Sequence, residues 1–291
     1  MEEQLEYEIL EQERFTGERA LFGAKNLKIQ NSIFADGESP LKECRNIQLS
    51  GVSFQWKYPL WYCSNVDVKN SSFLETARAG IWYTNDVLIE DTLISAPKQF
   101  RKSKNINLHN VNFTNAEETL WNCSDIKMNK VSVSGDYFAM GCSNLQIENL
   151  NLCGNYSFDG CKNLFIKNSK LLSKDAFWNC ENVTVYDSII TGEYIAWNSK
   201  NLTFVNCTIE SMQGFCYIDN LVMKNCRLLN TDRAFEYSSI DVDINSSIVS
   251  VVNPKSGTIR AHKISKLVME ADKIDPNATK IITRDEIDLS R

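Results

Sequence analysis

Three carboxylates and six aromatic side chains in the middle of the sequence have the residue types of a carbohydrate-binding site. They are Asp159, Asp175 and Glu193 together with Trp121, Tyr137, Tyr156, Trp178, Tyr194 and Trp197. The apolar C–H faces of a sugar stack on aromatic rings, while its hydroxyl groups form hydrogen bonds with carboxylates. These residues predict a surface that binds a carbohydrate-like or other small-molecule ligand.

Five of the six tryptophans recur four residues before an Asn or Asp that begins each repeat of the sequence, which we term the opener. The position just before these tryptophans is apolar, as in Leu120, Phe177 and Ala196. Because side chains alternate along a strand, inward apolar residues predict that the tryptophans point outward. Such a row is typical of a ligand platform, of an interface between copies of the chain, or of packing between repeats alone.

Hydrolysis of a glycosidic bond would require two carboxylates to face each other across one sugar. Asp159 with Asp175 or Glu193 is the pair that the sequence favours for a catalytic role. The sequence contains no phosphate-binding glycine loop, nucleophile elbow or zinc-protease motif. No catalytic signature is therefore visible, no cofactor is implied, and enzymatic activity stays open.

Cysteine recurs two residues before the opener in six repeats, and Ala, Thr or Ser takes this place in other repeats. The six are Cys44, Cys63, Cys123, Cys142, Cys161 and Cys180. Stacked strands are about 4.8 Å apart, whereas the Cβ atoms of a disulfide are roughly 3.5–4.5 Å apart. The spacing therefore predicts reduced structural thiols, and no Cys-X-X-Cys pair suggests a metal site.

A repeat of 19 to 21 residues positions all of these side chains. Its opener recurs at Asn26, Asn46, Asn65, Asp86, Asn105, Asp125, Asn144, Asn163, Asn182, Asn201 and Asn220. The 22 residues that stand one and three places after an opener are all apolar, which is the period of a β-strand. The repeat is too short for a pair of helices, and its second half lacks the helical stretch of a leucine-rich repeat.

The repeat predicts an all-β fold, a single-stranded right-handed parallel β-helix (solenoid) of about 11–12 coils. Asn and Asp recur at the opener and five residues later, and both tolerate the left-handed backbone of a corner. The predicted organisation is a short N-terminal cap at 1–20, the β-helix at 21–271, and a short C-terminal tail or cap at 272–291.

The coil pattern resembles the pectin-lyase-like right-handed β-helix superfamily. Three blocks, at 120–123, 234–238 and 253–257, resemble a bacterial family of β-helix proteins known as a domain of unknown function. The resemblance covers nearly the whole chain and implies the fold, but no reaction. The Gly-His-Gly element of polygalacturonase-like proteins is missing, because His109 and His262 have no glycine neighbours.

The net charge is -6, from 37 acidic and 31 basic residues, without a dense Lys/Arg tract. We therefore expect no nucleic-acid and no membrane partner. The acidic start of the sequence, unlike a secretory signal, predicts a cytoplasmic protein. The leading interpretation is a binding scaffold; the alternatives are a polysaccharide- or oligosaccharide-active hydrolase or lyase, and a homo-oligomeric structural protein.

Overall fold

The computed structural model describes residues 6–284, which form parallel β-strands stacked coil upon coil. The chain divides into an N-terminal unit, residues 1–146, and a C-terminal unit, residues 147–291. Each contains the predicted all-β parallel solenoid, which is thereby confirmed. The right-handed sense of the coil stays a prediction.

In the N-terminal unit, most coils contain a strand that begins beside the opener and a shorter second strand. The first series is β1 (Glu8–Glu11), β3 (Lys25–Gln30), β5 (Arg45–Ser50), β7 (Ser64–Lys69), β9 (Asn85–Ile94), β10 (Lys104–Phe113) and β11 (Ser124–Asn129). The second series is β2 (Arg14–Phe15), β4 (Ile33–Phe34), β6 (Ser53–Phe54), β8 (Ser72–Phe73) and β12 (Ser132–Ser134). Strands β9 and β10 are longer because each covers both places.

The C-terminal unit repeats this arrangement, and its last strands are long and continuous. Its strands are β14 (Asn151–Cys153), β15 (Lys162–Lys167), β16 (Lys170–Leu172), β17 (Glu181–Tyr186), β18 (Ile189–Thr191), β19 (Lys200–Val205), β20 (Thr208–Met212), β21 (Asp219–Asp232), β22 (Ser239–Val252), β23 (Ser256–Val268) and β24 (Thr279–Thr283). A 3-10 helix (Pro276–Ala278) precedes β24, and β13 (Ser143–Glu148) contains the boundary between the units.

Most neighbouring coils pair in register, so each position of the repeat lies beside its own equivalent, and register shifts occur in the pairings β20–β21, β21–β22 and β22–β23. In the N-terminal unit Ile47 of β5 pairs with Val66 of β7, and in the C-terminal unit Leu164 of β15 pairs with Val183 of β17. All 22 apolar residues that follow the openers are buried. The strand period in the sequence therefore identified the core correctly.

The corners use the residues that the sequence predicted. Every opener has a positive φ, for example 55° at Asn26 and 58° at Asn182. Their amides also form ladders between coils, with Asn46 Nδ2 donating to Asn26 Oδ1 at 2.7 Å and Asn201 Nδ2 to Asn182 Oδ1 at 3.0 Å. Left-handed backbone places these side chains side by side, where each amide satisfies the next.

Strands extend into both segments that the sequence assigns to caps. Strands β1 and β2, within 1–20, pair in parallel with β3 and β4, although no opener precedes β1 to reveal them. Strand β24, within 272–291, pairs with β23, and residues 285–291 lie outside the described residues. The capping role of both segments stays a prediction. Between residues 6 and 284 no helix has the length and apolarity to cross a membrane.

Candidate functional site

The position four residues before the opener forms what we term the tryptophan column. In the N-terminal unit it contains Phe22, Lys42, Trp61, Trp82, Arg101, Trp121 and Met140, and in the C-terminal unit Asp159, Trp178, Trp197 and Cys216. The indoles are half-buried, whereas the preceding residues, such as Phe177 and Ala196, are fully buried. The rings cover one another: the Trp61 and Trp82 centroids are 5.2 Å apart at 5°, and those of Trp178 and Trp197 are 5.8 Å apart at 10°.

Each indole of the column donates a hydrogen bond from Nε1 to a backbone oxygen of the next coil. The acceptors stand seven residues before the next opener, a place that we term the turn position. The bonds are Trp61 to Ala79 (2.6 Å), Trp82 to Lys98 (2.8 Å), Trp121 to Tyr137 (2.8 Å), Trp178 to Tyr194 (2.6 Å) and Trp197 to Gln213 (2.6 Å). The sequence offered packing between repeats as one interpretation of these tryptophans, but it did not predict their hydrogen bonds.

The backbone oxygen at the turn position is available to the indole because, within residues 6–284, no backbone N–H of the neighbouring coil donates to it. Around Ala79, Tyr58 N–H donates to Arg78 O and Leu60 N–H to Gly80 O, which leaves Ala79 O for the indole of Trp61. Residues at the turn position have positive φ, as at Tyr194 with 53°. The indole therefore satisfies a carbonyl that strand pairing does not reach.

A guanidinium replaces one ring of the column in the N-terminal unit. The Cζ atom of Arg101 lies 4.5 Å from the ring centroid of Trp82 and 4.7 Å from that of Trp121. Its Nη2 atom lies 3.4 Å from Oε2 of Glu118, which also receives Lys98 Nζ at 3.2 Å. Arginine is suited to this place because its planar cation stacks on aromatic faces.

Asp175, a predicted site residue, is the one buried carboxylic acid in the part of the chain from residue 6 to residue 284, with 3% exposure. It occupies the turn position between Tyr156 and Tyr194 of the neighbouring coils. Burial raises the pKa of its carboxyl above the ordinary value. The charge of Lys174 opposes this shift, the charge of Glu193 increases it, and a hydrogen bond with Tyr156 opposes it. Ionisable groups with such shifts concentrate at functional sites.

The other candidates of the C-terminal unit lie on the same edge of the coils. Lys174 Nζ is 2.9 Å from Glu193 Oε2 and 5.5 Å from the centroid of the Tyr194 ring. That ring meets Trp197 edge to face at 5.4 Å. Sequence reasoning missed Lys174, although its place beside Asp175 and one repeat from Glu193 was a usable signal.

Asp159 stands in the tryptophan column one coil before Trp178, as the bond from Gly160 N–H to Trp178 O shows. Its Oδ1 atom accepts a 2.8 Å hydrogen bond from Asn179 Nδ2. Trp121 and Tyr137 belong to the N-terminal unit, where the half-buried indole of Trp121 adjoins Tyr137, which is 39% exposed. The C-terminal unit thus contains seven of the nine predicted site residues.

The position two residues before the opener selects small hydrogen-bond donors. Cys180 Sγ donates to Phe158 O at 3.0 Å, and in the next coil Ser199 Oγ donates to Phe177 O at 2.7 Å. None of the ten cysteines, which all lie among the described residues, forms a disulfide, as predicted; nine are buried and Cys153 is exposed. In residues 6–284 no group of three or more His, Cys, Asp or Glu side chains could hold a metal ion.

The profile of a family described as a protein of unknown function, DUF3737, matches residues 8–282. The chain belongs to this family. A comparison with curated proteins gave no match.

Three solved structures are similar to this chain at low identity. PfbA, a surface adhesin of Streptococcus pneumoniae, is 12% identical with a TM-score of 0.38, covering 79% of this chain and 72% of its own. The A-module of the Azotobacter vinelandii mannuronan C-5 epimerase AlgE4 is 11% identical with a TM-score of 0.28, covering 97% and 88%. A trypsin-treated form of QnrB1, a plasmid-mediated fluoroquinolone resistance protein, is 17% identical with a TM-score of 0.20, covering 77% and 92%. None of the three bears on function at these scores.

Proposed function

We propose that this protein is a binding scaffold that holds a carbohydrate-like ligand on the edge of the C-terminal unit formed by Tyr156, Asp175, Trp178, Tyr194 and Trp197. The buried carboxyl of Asp175 carries this proposal. Among residues 6–284 the other buried side chains are apolar or carry neutral hydroxyl, thiol or amide groups, and an ionised carboxylate costs free energy when it is removed from water. A residue that reduces stability in this way is typical of a functional site.

The surroundings of Asp175 have the chemistry that a sugar requires. The Tyr156 ring is 36% exposed, and the indoles of Trp178 and Trp197 are half-buried, so aromatic surface is available for the C–H face of a sugar. The ion pair between Lys174 and Glu193 supplies a donor and an acceptor for hydroxyl groups. Trp121 and Tyr137 offer a second aromatic patch of the same kind in the N-terminal unit.

The variant Asp175→Asn separates a binding role from a structural one. Because the folded state raises the pKa of this carboxyl, its ionised form lowers stability at neutral pH, and the amide variant should be at least as stable as the native chain. The same variant should lose ligand binding. The measurements are denaturant unfolding at pH 7 and a titration with a panel of oligosaccharides followed by tryptophan fluorescence.

Asp187→Asn is the matched control, because Asp187 accepts the amide of Asn206 on a ladder that other coils build from asparagine alone. It should alter neither stability nor binding. A native chain whose fluorescence responds to no saccharide of the panel would contradict the proposal.

A hydrolase or lyase that acts on polysaccharides or oligosaccharides is the second candidate. Burial raises the pKa of Asp175, which is the direction of shift that a general acid requires. Asp159 or Glu193 would then supply the second carboxylate. Release of new reducing ends from a saccharide by the native chain, abolished in Asp175→Asn, would establish this activity, and no release from any saccharide would exclude it.

Three further expectations rest on the sequence. We propose that the coil is right-handed, that the family belongs to the pectin-lyase-like superfamily, and that the protein is cytoplasmic and binds neither nucleic acid nor membranes. Assembly of several copies through the tryptophan column also stays a prediction, which the molecular mass in solution would test.

A further inference from the structure

At one position of the tryptophan column, a guanidinium group takes the place of an indole. In the N-terminal unit the guanidinium of Arg101 lies between the rings of Trp82 and Trp121, at 4.5 and 4.7 Å from their centroids. Its carboxylate partner, Glu118, stands at the turn position of the next coil. A planar cation, flanked by indoles and paired with an acid at the turn position, therefore fits one rung of this column.

In the C-terminal unit two rungs of the column, those of Asp159 and Cys216, have neither a ring nor a cation, and the rung of Asp159 carries a negative charge. Asp159 stands next to Trp178, whose ring stacks on Trp197 in the following coil. The turn position that corresponds to Glu118 is occupied by Asp175, the buried carboxyl. The cation nearest to these acids in sequence, Lys174, forms an ion pair with Glu193 at 2.9 Å, and its charge also acts on Asp175. The rung of Asp159 thus combines an indole with two carboxylates where the other unit has an arginine and a glutamate.

We propose that this rung binds an organic cation, an ammonium or guanidinium group of the ligand, beside the Trp178 ring and between Asp159 and Asp175. The inference rests on the proposed function, because it uses the same edge, and it specifies a basic ligand such as an amino sugar. A cation beside an indole face is attracted by the negative face of the ring system. The two carboxylates add charge complementarity that a neutral sugar cannot use.

The first experiment compares two ligands that differ mainly in charge. The full chain is titrated with a glucosamine oligomer, a cation when its amines are protonated, and with the neutral N-acetylglucosamine oligomer of equal length. Agmatine serves as a guanidinium without a sugar. The cationic oligomer should bind about tenfold more tightly than the neutral one, and added salt should weaken it.

The outcomes distinguish this inference from the proposed function. Equal affinity for the two oligomers would overturn the cation site and leave the carbohydrate proposal standing. Binding of agmatine without either oligomer would support the cation site and contradict the carbohydrate proposal. Binding of none of the three would overturn both.

Variants of Asp159 test the location. Asp159→Asn keeps the size of the side chain and should weaken the cationic oligomer about tenfold without affecting a neutral one. Asp187→Asn, the same change on the amide ladder of this unit, should have no effect. Asp159→Arg should fill the rung as Arg101 does, raise the melting temperature and abolish cation binding. Equal affinities of Asp159→Asn and Asp187→Asn would place the cation elsewhere and overturn the proposal.

Arg101→Ala tests whether a free cation can take the place of the Arg101 guanidinium between Trp82 and Trp121. It should lower the melting temperature by emptying the rung between Trp82 and Trp121, and millimolar agmatine should restore part of the loss. Methylurea, which is planar but neutral, should not restore the melting temperature. Agmatine should not raise the melting temperature of the native chain through this rung, because Arg101 already fills it. Failure of agmatine to rescue the variant would show that the column does not accept a free cation, and would remove the basis of the proposal.

Discussion

The indole Nε1 of Trp178 donates a 2.6 Å hydrogen bond to the backbone oxygen of Tyr194, one coil further along the chain. Trp197 repeats this bond with Gln213 in the following coil. The tryptophans therefore belong to the hydrogen-bonding scheme of the solenoid, in addition to any role in ligand binding. Their ring faces and edges have separate functions, since the edge satisfies the turn carbonyl while the face stacks within the column.

Replacement of Trp178 should reveal both contributions to stability. We expect Trp178→Ala to lower the free energy of unfolding by about 2–4 kcal/mol, because it removes a half-buried ring and leaves the oxygen of Tyr194 without its donor. Trp178→Phe keeps a ring and loses only the donor, so a loss of about 1 kcal/mol is expected. Denaturant titration followed by circular dichroism measures both.

Trp56→Ala is the control, because Trp56 lies outside the column and is 36% exposed. Its effect should be within about 0.5 kcal/mol. If Trp178→Phe were as stable as the native chain, the hydrogen bond to Tyr194 would have no energetic role.

Cys180 should tolerate serine better than valine. Serine can replace the S–H donor to Phe158 O, as Ser199 already does toward Phe177 O, and the stability should change by about 1 kcal/mol or less. Valine is apolar and larger than cysteine, and it leaves a buried carbonyl without its donor, at about 1–3 kcal/mol. Paired unfolding curves of the two variants decide the matter. Greater stability of Cys180→Val than of Cys180→Ser would mean that this position does not need a hydrogen-bond donor.

Of the ten cysteines, only the exposed Cys153 should react quickly with a thiol reagent, and the nine buried ones should not. Burial raises the pKa of Cys44 to about 11 and of Cys63 and Cys180 to about 12, so these thiols remain protonated and unreactive at pH 8. A chromogenic disulfide reagent should titrate one thiol in the native chain, Cys153, and ten after denaturation without reductant. Cys153→Ser should remove the fast reaction, and more than one fast thiol would contradict the burial.

Because of these buried thiols, we expect the folded chain to lose stability at alkaline pH. Their pKa values are higher in the folded than in the unfolded chain, so the stability they contribute is fully present below the ordinary thiol pKa and is lost as the pH rises toward 11–12. Melting temperatures measured from pH 8 to pH 11 should fall. Replacing Cys63 and Cys180 together by serine should flatten this fall, and an unchanged slope would assign it to other groups.

A charge in the central strand should disrupt the core. Val185 of β17 is fully buried and pairs with Ile166 and Phe204 of the adjacent coils. Val185→Asp places a carboxylate there without a partner and should cost at least about 3 kcal/mol. Thr184→Asp, one residue away on the half-exposed face, is the matched control and should remain folded. Similar melting of the two variants would contradict the register of this strand.

The sequence alone determined the repeat, the core and the corners. Leu164, Val183 and Leu202 share a burial that follows from strand alternation, and Asn163, Asn182 and Asn201 share a left-handed backbone that asparagine accepts readily. These are local properties, which a solenoid repeats in every coil, so the spacing of residue types was enough to predict them. The strands β1 and β24 were less visible because no opener marks them.

Only the tertiary structure decided which chemistry-bearing residues act on one another. The bond from Trp178 to Tyr194 joins residues 16 apart, and the stacking of Arg101 with Trp121 joins residues 20 apart. The burial of Asp175 likewise depends on the coils at either side of it. Such contacts depend on the direction in which a left-handed turn points a carbonyl or a side chain toward the next coil. The order of the amino acids within one repeat does not specify this direction.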